Sequence, residues 1–299
     1  MNTPAHVFLT RFNLPSPGVE SLIQADESWL VDRMVLFERY TIPSVRAQLG
    51  GDIHWIVYVD PQSPTWLLSR LSELQSEGIM VPIERRSVSP EELHGDVRGV
   101  VGRPRGPVIS SNLDNDDGLA TDFVQRLRGI ATPQPRSAVY LSHGLIKLGT
   151  RVYLRSDPQN AFCAVREDLA DLATCWADWH NRLDRLMPRV SVAGPPGWLQ
   201  VIHGTNVSNR VRGRLISPRS YRSAFPGLLD DVTEPTRTQI LRDEFVNAPR
   251  RVARDTARGT GRDILVRCLG KERYGELRYA VASAARGLRQ NRSHRAQPK

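Results

Sequence analysis

The sequence predicts an α/β fold with a mostly parallel central sheet flanked by helices and a helical, basic C-terminal extension. Three observations predict it. Short apolar, β-rich runs alternate with segments whose apolar residues recur at helical spacing. Several of the runs end on polar or acidic residues, where a strand hands over to a loop. The excess of positive charge is confined to one end of the chain.

The elements follow in order. "HVFLTRF" (6–12) is a first strand. "SWLVDRMVLFERYTIPSVRAQ" (28–48) sets Trp29, Leu30, Met34, Leu36, Phe37 and Tyr40, with the stem of Arg33, on a helical stripe ending near Pro43. "HWIVYVD" (54–60) is a second strand closed by Asp60 and Pro61. In 63–78, Trp66, Leu67, Leu71 and Leu74 recur at helical spacing, and Gly78 stops the helix. "IMVPIER" (79–85) is a third strand and "VISSNL" (108–113) a fourth. Over 117–130, Leu119, Phe123, Leu127 and Ile130 share a helical face. Strands alternating with helices of this length imply crossover connections, and ligands then bind outside the carboxyl ends of the strands. Thr10–Arg11, Asp60 and Asp114–Asp117 all lie at or just past such ends, so they are expected on one edge.

Beyond residue 137 the alternation weakens. The run 138–156 looks like a hairpin joined at "LGT", 167–187 reads as a helix or helices, and "WLQVIH" (198–203) is a strand entering a polar loop. Residues 214–235 read as a surface loop, and the pattern from 236 onward is helical and Arg-rich. The expected division is therefore 1–215, an α/β domain, and 216–299, a loop and helical extension whose last ~10 residues are disordered by composition.

Composition bounds the function. The 299 residues suit one large domain with an extension. Cys163, Cys175 and Cys268 have neither zinc-site nor disulfide spacing, and are expected as buried apolar groups in a reducing compartment. No run reaches the ~20 apolar residues of a membrane span, and the N-terminus lacks a signal-peptide pattern, so a cytoplasmic location is expected. Residues 250–299 hold fourteen Lys/Arg against four Asp/Glu, which supplies the whole excess of an overall +9 charge. With only Tyr274 and Tyr279 as aromatics there, stacking on nucleic acid is poorly supported. A basic, partly apolar helix in that region fits either an anionic membrane surface or packing on the domain with a solvated Arg face.

The stretch "VISSNLDNDDGLATDFV" (108–124) packs three carboxylates into four residues. Such crowding needs positive charge nearby. Two carboxylates one residue apart at a strand end suit a divalent cation, Mn2+ or Mg2+, completed by substrate phosphates. A calcium-binding EF-hand loop fails in both registers, at Gly118 and Leu119 or at Asp117 and Phe123. An aspartyl-nucleophile phosphatase would carry its acids on the first strand rather than the fourth. Helix capping by Asp116 or Asp117 explains one acid and leaves the others.

The segments "FLTRFN", "WLVDRMVLFERYTIPSVRAQ", "HWIVYVD", "SNLDNDDGLATDFV" and "GWLQVIHGTNVSNRVRG", in this order over roughly 6–213, resemble the putative rhamnosyl transferase family. The resemblance implies a GT-A-like fold and a metal-dependent, inverting glycosyltransferase. The donor would be a nucleotide-sugar carrying rhamnose or another deoxyhexose, and the acceptor a glycan or lipid-linked. By similarity, Asp114 would lie near the ribose or the metal and Asp116 would hold the metal. Asn115 joins them in the donor site, Thr10 and Arg11 would approach the base and diphosphate, and Asp60 would read the nucleobase. Strand-end capping is the alternative for Thr10 and Asp60, and a surface ion pair for Arg11.

Transfer also needs a group that takes the acceptor's proton. Glu167, then Asp168, are the candidates, set after the hairpin at an expected helix start; first-turn acids favouring a helix dipole are the alternative. His203, at the end of "WLQVIH" and before Gly204, Asn206 and Asn209, is expected to complete the metal shell or meet the diphosphate. His180 is expected to pack among aromatics. Arg210 and Arg212 could grip phosphate bidentately or be solvated. Rival functions are a nucleic-acid- or membrane-binding protein acting through the basic tail, and a metal-dependent phosphohydrolase.

Overall fold

The computed structural model describes residues 3–15, 27–103, 106–203 and 210–254. The chain divides into two compact units, Met1–Glu244 and Phe245–Lys299. Of the second, the described residues 245–254 are helical. The expected tail helix, the disordered last residues and Cys268 lie outside the described residues, as do Gly204, Asn206 and Asn209.

In the first unit a seven-stranded sheet takes the first four strands, β1 (Ala5–Arg11), β2 (Ile53–Val59), β3 (Val81–Glu84) and β4 (Val108–Asn112), all parallel. β6 (Ser137–Leu141), β9 (Ala164–Glu167) and β10 (Arg189–Val192) complete it in the order β10-β6-β9-β4-β1-β2-β3, with β9 antiparallel to both neighbours. A five-stranded sheet is ordered β12-β8-β7-β11-β5, from β5 (Gly118–Leu119), β7 (His143–Leu148), β8 (Arg151–Ser156), β11 (Trp198–Ile202) and β12 (Arg214–Leu215).

The large sheet is covered on both faces, which is why β1 is apolar without alternation. Phe8 joins one core with Trp55 and Phe37, whereas Val7 and Leu9 join another with Tyr58, Leu93 and Val97. Helix α1 (Glu27–Leu36) and α3 (Thr65–Ser76) supply the first core, and α4 (Pro90–Val101) the second. α4 opens on a capping box between Ser89 and Glu92.

Four expectations need correction. The helix over 28–48 does not stop at Pro43: after α1 the backbone widens into a π-helical turn, Phe37–Thr41, and continues as α2 (Ile42–Arg46). The wider turn absorbs the amide that Pro43 lacks and the bulk of its ring. The segment 117–130 is not one helix; Gly118–Leu119 pairs with β11 as a short strand, and only then comes helix α5 (Phe123–Gly129). Residues 167–187 form turns and one 3-10 turn (Leu183–Arg185) instead of helices. Finally, 216–235 is no surface loop. Phe225, Leu228, Leu229 and Val232 are buried against Leu145, Val152, Leu199 and Val201, so the first unit runs past 215 to Glu244. A last short helix, α6 (Arg237–Arg242), starts on a capping box between Thr236 and Gln239.

The hairpin joined at "LGT" is present as β7 and β8, antiparallel throughout. Cys163 and Cys175 are buried and free. Among the described residues no helix is long and apolar enough to cross a membrane.

Candidate active site

Because β1, β2 and β4 are parallel, their carboxyl ends share an edge, and the acidic loop after β4 lies on it. Each of its three carboxylates meets a different fate. Asp117 is buried, and its Oδ1 accepts a hydrogen bond from the Val201 amide at 2.8 Å, which ties the loop to β11. Burial and the charges of Asp116 and Asp114 push its carboxyl well above the usual carboxylate range, with the Val201 bond opposing them.

Asp116 is buried and shares one oxygen between two partners. Arg33, from α1, forms a salt bridge to Oδ2, and His203 Nε2, just past β11, lies 2.8 Å from the same atom. Burial acts to raise the Asp116 pKa, but the His203 bond and the Arg33 charge prevail and hold it below its ordinary value. The positive charge that the crowded acids require is thus a guanidinium of the protein itself. Arg33 also donates to Asn115 Oδ1 at 3.2 Å and stacks over Trp29 at 4.7 Å. In sequence it passes as an aliphatic stem in an apolar stripe; in the structure its head is buried too. The available signal was a charge inside that stripe, which demands a buried partner.

Asp114 opens into a cleft of ≈ 650 Å³. Its surface is exposed, yet the protein around it desolvates the carboxyl and, with the Asp116 charge, raises it above the ordinary value. Arg11 lines the same cleft, its guanidinium 4.1 Å over the ring of Trp176. Trp176 donates to Asn112 Oδ1 at 2.8 Å, so the stack is anchored to the end of β4. Arg155, Arg210 and Arg212 also line the cleft, as do Asp157, Asp178, Trp179, His180 and Trp198. Trp198 stacks on Phe162 with ring centres 5.0 Å apart.

The other expected residues have structural partners. Thr10 is buried; its hydroxyl donates to the Leu113 carbonyl at 2.7 Å and accepts from Trp55 Nε1 at 2.9 Å, joining β1, β2 and the acidic loop. Asn115 donates to the Phe12 carbonyl. Asp60 caps its own turn by accepting from the Gln62 amide at 2.9 Å, which is the strand-end alternative. None of these three lines the cleft.

Glu167 and Asp168 are a correction. β9 runs antiparallel to β4, and its register sets Ala164 beside Ser111 and Glu167 beside Val108. Glu167 therefore lies at the opposite end of β4 from Asp114, and Asp168 is beyond it. The Glu167 carboxylate is buried and accepts from the Ala173 and Thr174 amides at 2.7 and 2.8 Å, with Arg136 at 3.1 Å. It shapes a loop. The antiparallel return of β9, invisible in a pattern of apolar runs, reverses the edge on which its end emerges.

Among the described residues no group of three or more His, Cys, Asp or Glu side chains converges as a metal site. Asp116 and His203 do converge, and Asp114 stands two residues away in the cleft. Carboxylate oxygens are the ligand type that suits Mn2+ or Mg2+; of the two here, Asp114 lines the cleft, and Asp116 Oδ2 is shared with Arg33 and His203.

A family model described as "Putative rhamnosyl transferase" matches residues 5–215. The chain belongs to that family. The α/β architecture with a mixed sheet is the GT-A-like one that membership leads one to expect. Among curated proteins, none matches this family member in sequence. Similar solved structures include two in complex with nucleotide-sugars. One is Staphylococcus aureus TarS 1–349 in complex with UDP-GlcNAc, at 9% identity and a TM-score of 0.42. That match covers 74% of this chain and 64% of the TarS chain, so this chain spans less than two thirds of it. The other is the mannosyltransferase PcManGT from Pyrobaculum calidifontis in complex with GDP-Man and Mn2+, at 12% identity and a TM-score of 0.41, covering 94% and 87% of the two chains.

Proposed function

We propose that the protein moves a sugar, rhamnose or another deoxyhexose, from a nucleoside-diphosphate donor to a glycan or lipid-linked acceptor, with inversion at the anomeric carbon and with Mn2+ or Mg2+. One observation carries this reading: the loop after β4 sends Asp114 into a cleft beside Arg11 and Trp176 while joining Asp116 to His203.

Asp116 and His203 are the residues that would hold the ion, with Asp114 facing the donor's ribose or the ion. When bound, a divalent ion supplies positive charge to a diphosphate. The chain's own residues do the rest. Arg11, Arg155, Arg210 and Arg212 give the cleft guanidinium groups whose paired N–H donors match phosphate oxygens and oppose the charge growing on the leaving group. Arg11 is held against Trp176, so its position costs little to organise on binding. The His203 bond and the Arg33 charge hold the Asp116 carboxyl below its ordinary value against the effect of burial. Trp198 and Phe162 give the cleft an apolar, stacked wall.

The test is thermal unfolding with a panel of nucleoside diphosphates and their sugars, with and without Mn2+. A rise in Tm that needs the metal and is selective for one nucleoside is expected, together with its loss in Asp116→Asn. No rise with any nucleotide, in folded protein, would overturn the reading.

A further inference from the structure

We infer that the loop Cys175–His180 is the acceptor side of the cleft, with Trp179 as the platform for a pyranose ring and Asp178 as the group that takes the proton of the attacking hydroxyl. This rests on the proposed glycosyl transfer and adds the acceptor class and the base.

Among the described residues three carboxylates line the cleft, Asp114, Asp157 and Asp178. Asp114 belongs to the acidic loop and faces Arg11. Asp157 is bonded to Arg155 at 3.2 Å. Asp178 pairs with no basic side chain among the described residues; its Oδ1 accepts the next amide, of Trp179, at 2.7 Å. It is therefore a carboxylate oriented by the backbone and not neutralised by a cation, as a proton acceptor should be.

Trp179 is 67% exposed although it borders a cleft with much buried aromatic surface. A single exposed apolar residue is ordinary, but an indole beside an oriented carboxylate is a combination suited to a sugar. The ring's apolar face covers the C–H face of a pyranose, and the carboxylate reaches its hydroxyl. The loop is fixed from behind. Glu167 and Arg136 hold the amides and carbonyls of 171–174, and Thr174 has φ +67°, a strained value that such bonds sustain. Cys175 is held by the Ser110 hydroxyl at 2.9 Å, and Tyr140 donates to the His180 carbonyl. A loop so anchored at both ends presents Asp178 and Trp179 preorganised.

In the transfer, the acceptor oxygen forms a bond to the anomeric carbon as the carbon–oxygen bond to the diphosphate breaks. That electron pair leaves on the nucleoside diphosphate, and the hydroxyl proton passes to Asp178.

The experiment uses the full chain with the donor selected by the nucleotide panel, and para-nitrophenyl α- and β-pyranosides as acceptor probes. Wild type is expected to glycosylate at least one pyranoside. Asp178→Asn should keep the nucleotide-induced rise in Tm while turnover falls by about 10²–10⁴-fold. Trp179→Ala should raise the KM for the pyranoside about 10-fold without raising the KM for the donor, and Trp179→Phe should recover most of the loss. Turnover of Asp178→Asn within a few-fold of wild type, or a Trp179→Ala effect on the donor KM, would overturn the assignment. So would a wild type that binds nucleotide but transfers to no pyranoside, which leaves the donor reading standing. A wild type with no nucleotide response removes both.

Discussion

Arg33 on α1 forms a buried salt bridge with Asp116 in the loop after β4, and His203 approaches the same carboxylate oxygen. A buried pair is costly to break from one side, because the remaining charge is left without compensation, at about 3–5 kcal/mol. Arg33→Met is therefore expected to destabilise the protein on that scale. The double change Arg33→Met with Asp116→Asn should cost clearly less than the sum of its parts, since it removes both charges. Urea unfolding of the two single variants and the double variant measures this. Additive costs would show that the bridge is not the coupling.

Glu167 gives a prediction that separates structure from chemistry. Its carboxylate holds two backbone amides and Arg136. Glu167→Gln should weaken the loop at about 1–3 kcal/mol of stability. Turnover per folded molecule, measured at a temperature where the variant is folded, should change by only a few-fold. A loss of about 10²-fold or more, in an enzyme whose Asp178→Asn variant keeps turnover near wild type, would restore Glu167 as the proton acceptor.

Gly144 on β7 lies under the Trp198 ring. A Cβ built there would meet the indole at 1.9 Å, with ring atoms and no flexible chain end to give way. Gly144→Ala is expected to cost about 1–3 kcal/mol or more and to shift Trp198 off Phe162. The observables are a lower urea midpoint and a changed near-ultraviolet circular dichroism band for tryptophan. An unchanged spectrum and midpoint would show that the wall can move.

The parts of this fold that were legible in sequence are those set by local periodicity. The strands ending at Arg11, Asp60 and Asp114 were readable from apolar runs, and parallel pairing then required one shared edge. The acidic loop was readable as a place needing positive charge. Its source was not, because Arg33 lies in another element and only tertiary packing brings the two together. The antiparallel return of β9 moved Glu167 to the far edge. The turns over 168–187 brought Trp176, Asp178 and Trp179 into the cleft from a segment whose apolar spacing imitates a helix. Pro43 imitates a helix stop, and the π turn before it removes the obstacle.

His6 on β1 provides a prediction in pH. It is fully buried between Phe8 and Phe123, and neither ring nitrogen has a hydrogen-bond partner among the described residues. Burial first, then the charges of Arg128 and His54, lower its pKa from 6.5 to about 3. A depressed folded-state value means that the unfolded chain binds the proton more readily. Above pH 6.5 the ring is neutral in both states and the folded form is at its full stability. As the pH falls from 6.5 toward 3, only the unfolded state takes up the proton, and stability is lost at up to about 1.4 kcal/mol per pH unit. His6→Leu removes this proton uptake while keeping an apolar group between the two rings. Between pH 7.5 and pH 5, wild type should therefore lose about 2 kcal/mol more than His6→Leu, read from urea midpoints at each pH. Parallel pH profiles for the two proteins would show that the buried imidazole is not what makes the fold acid-sensitive.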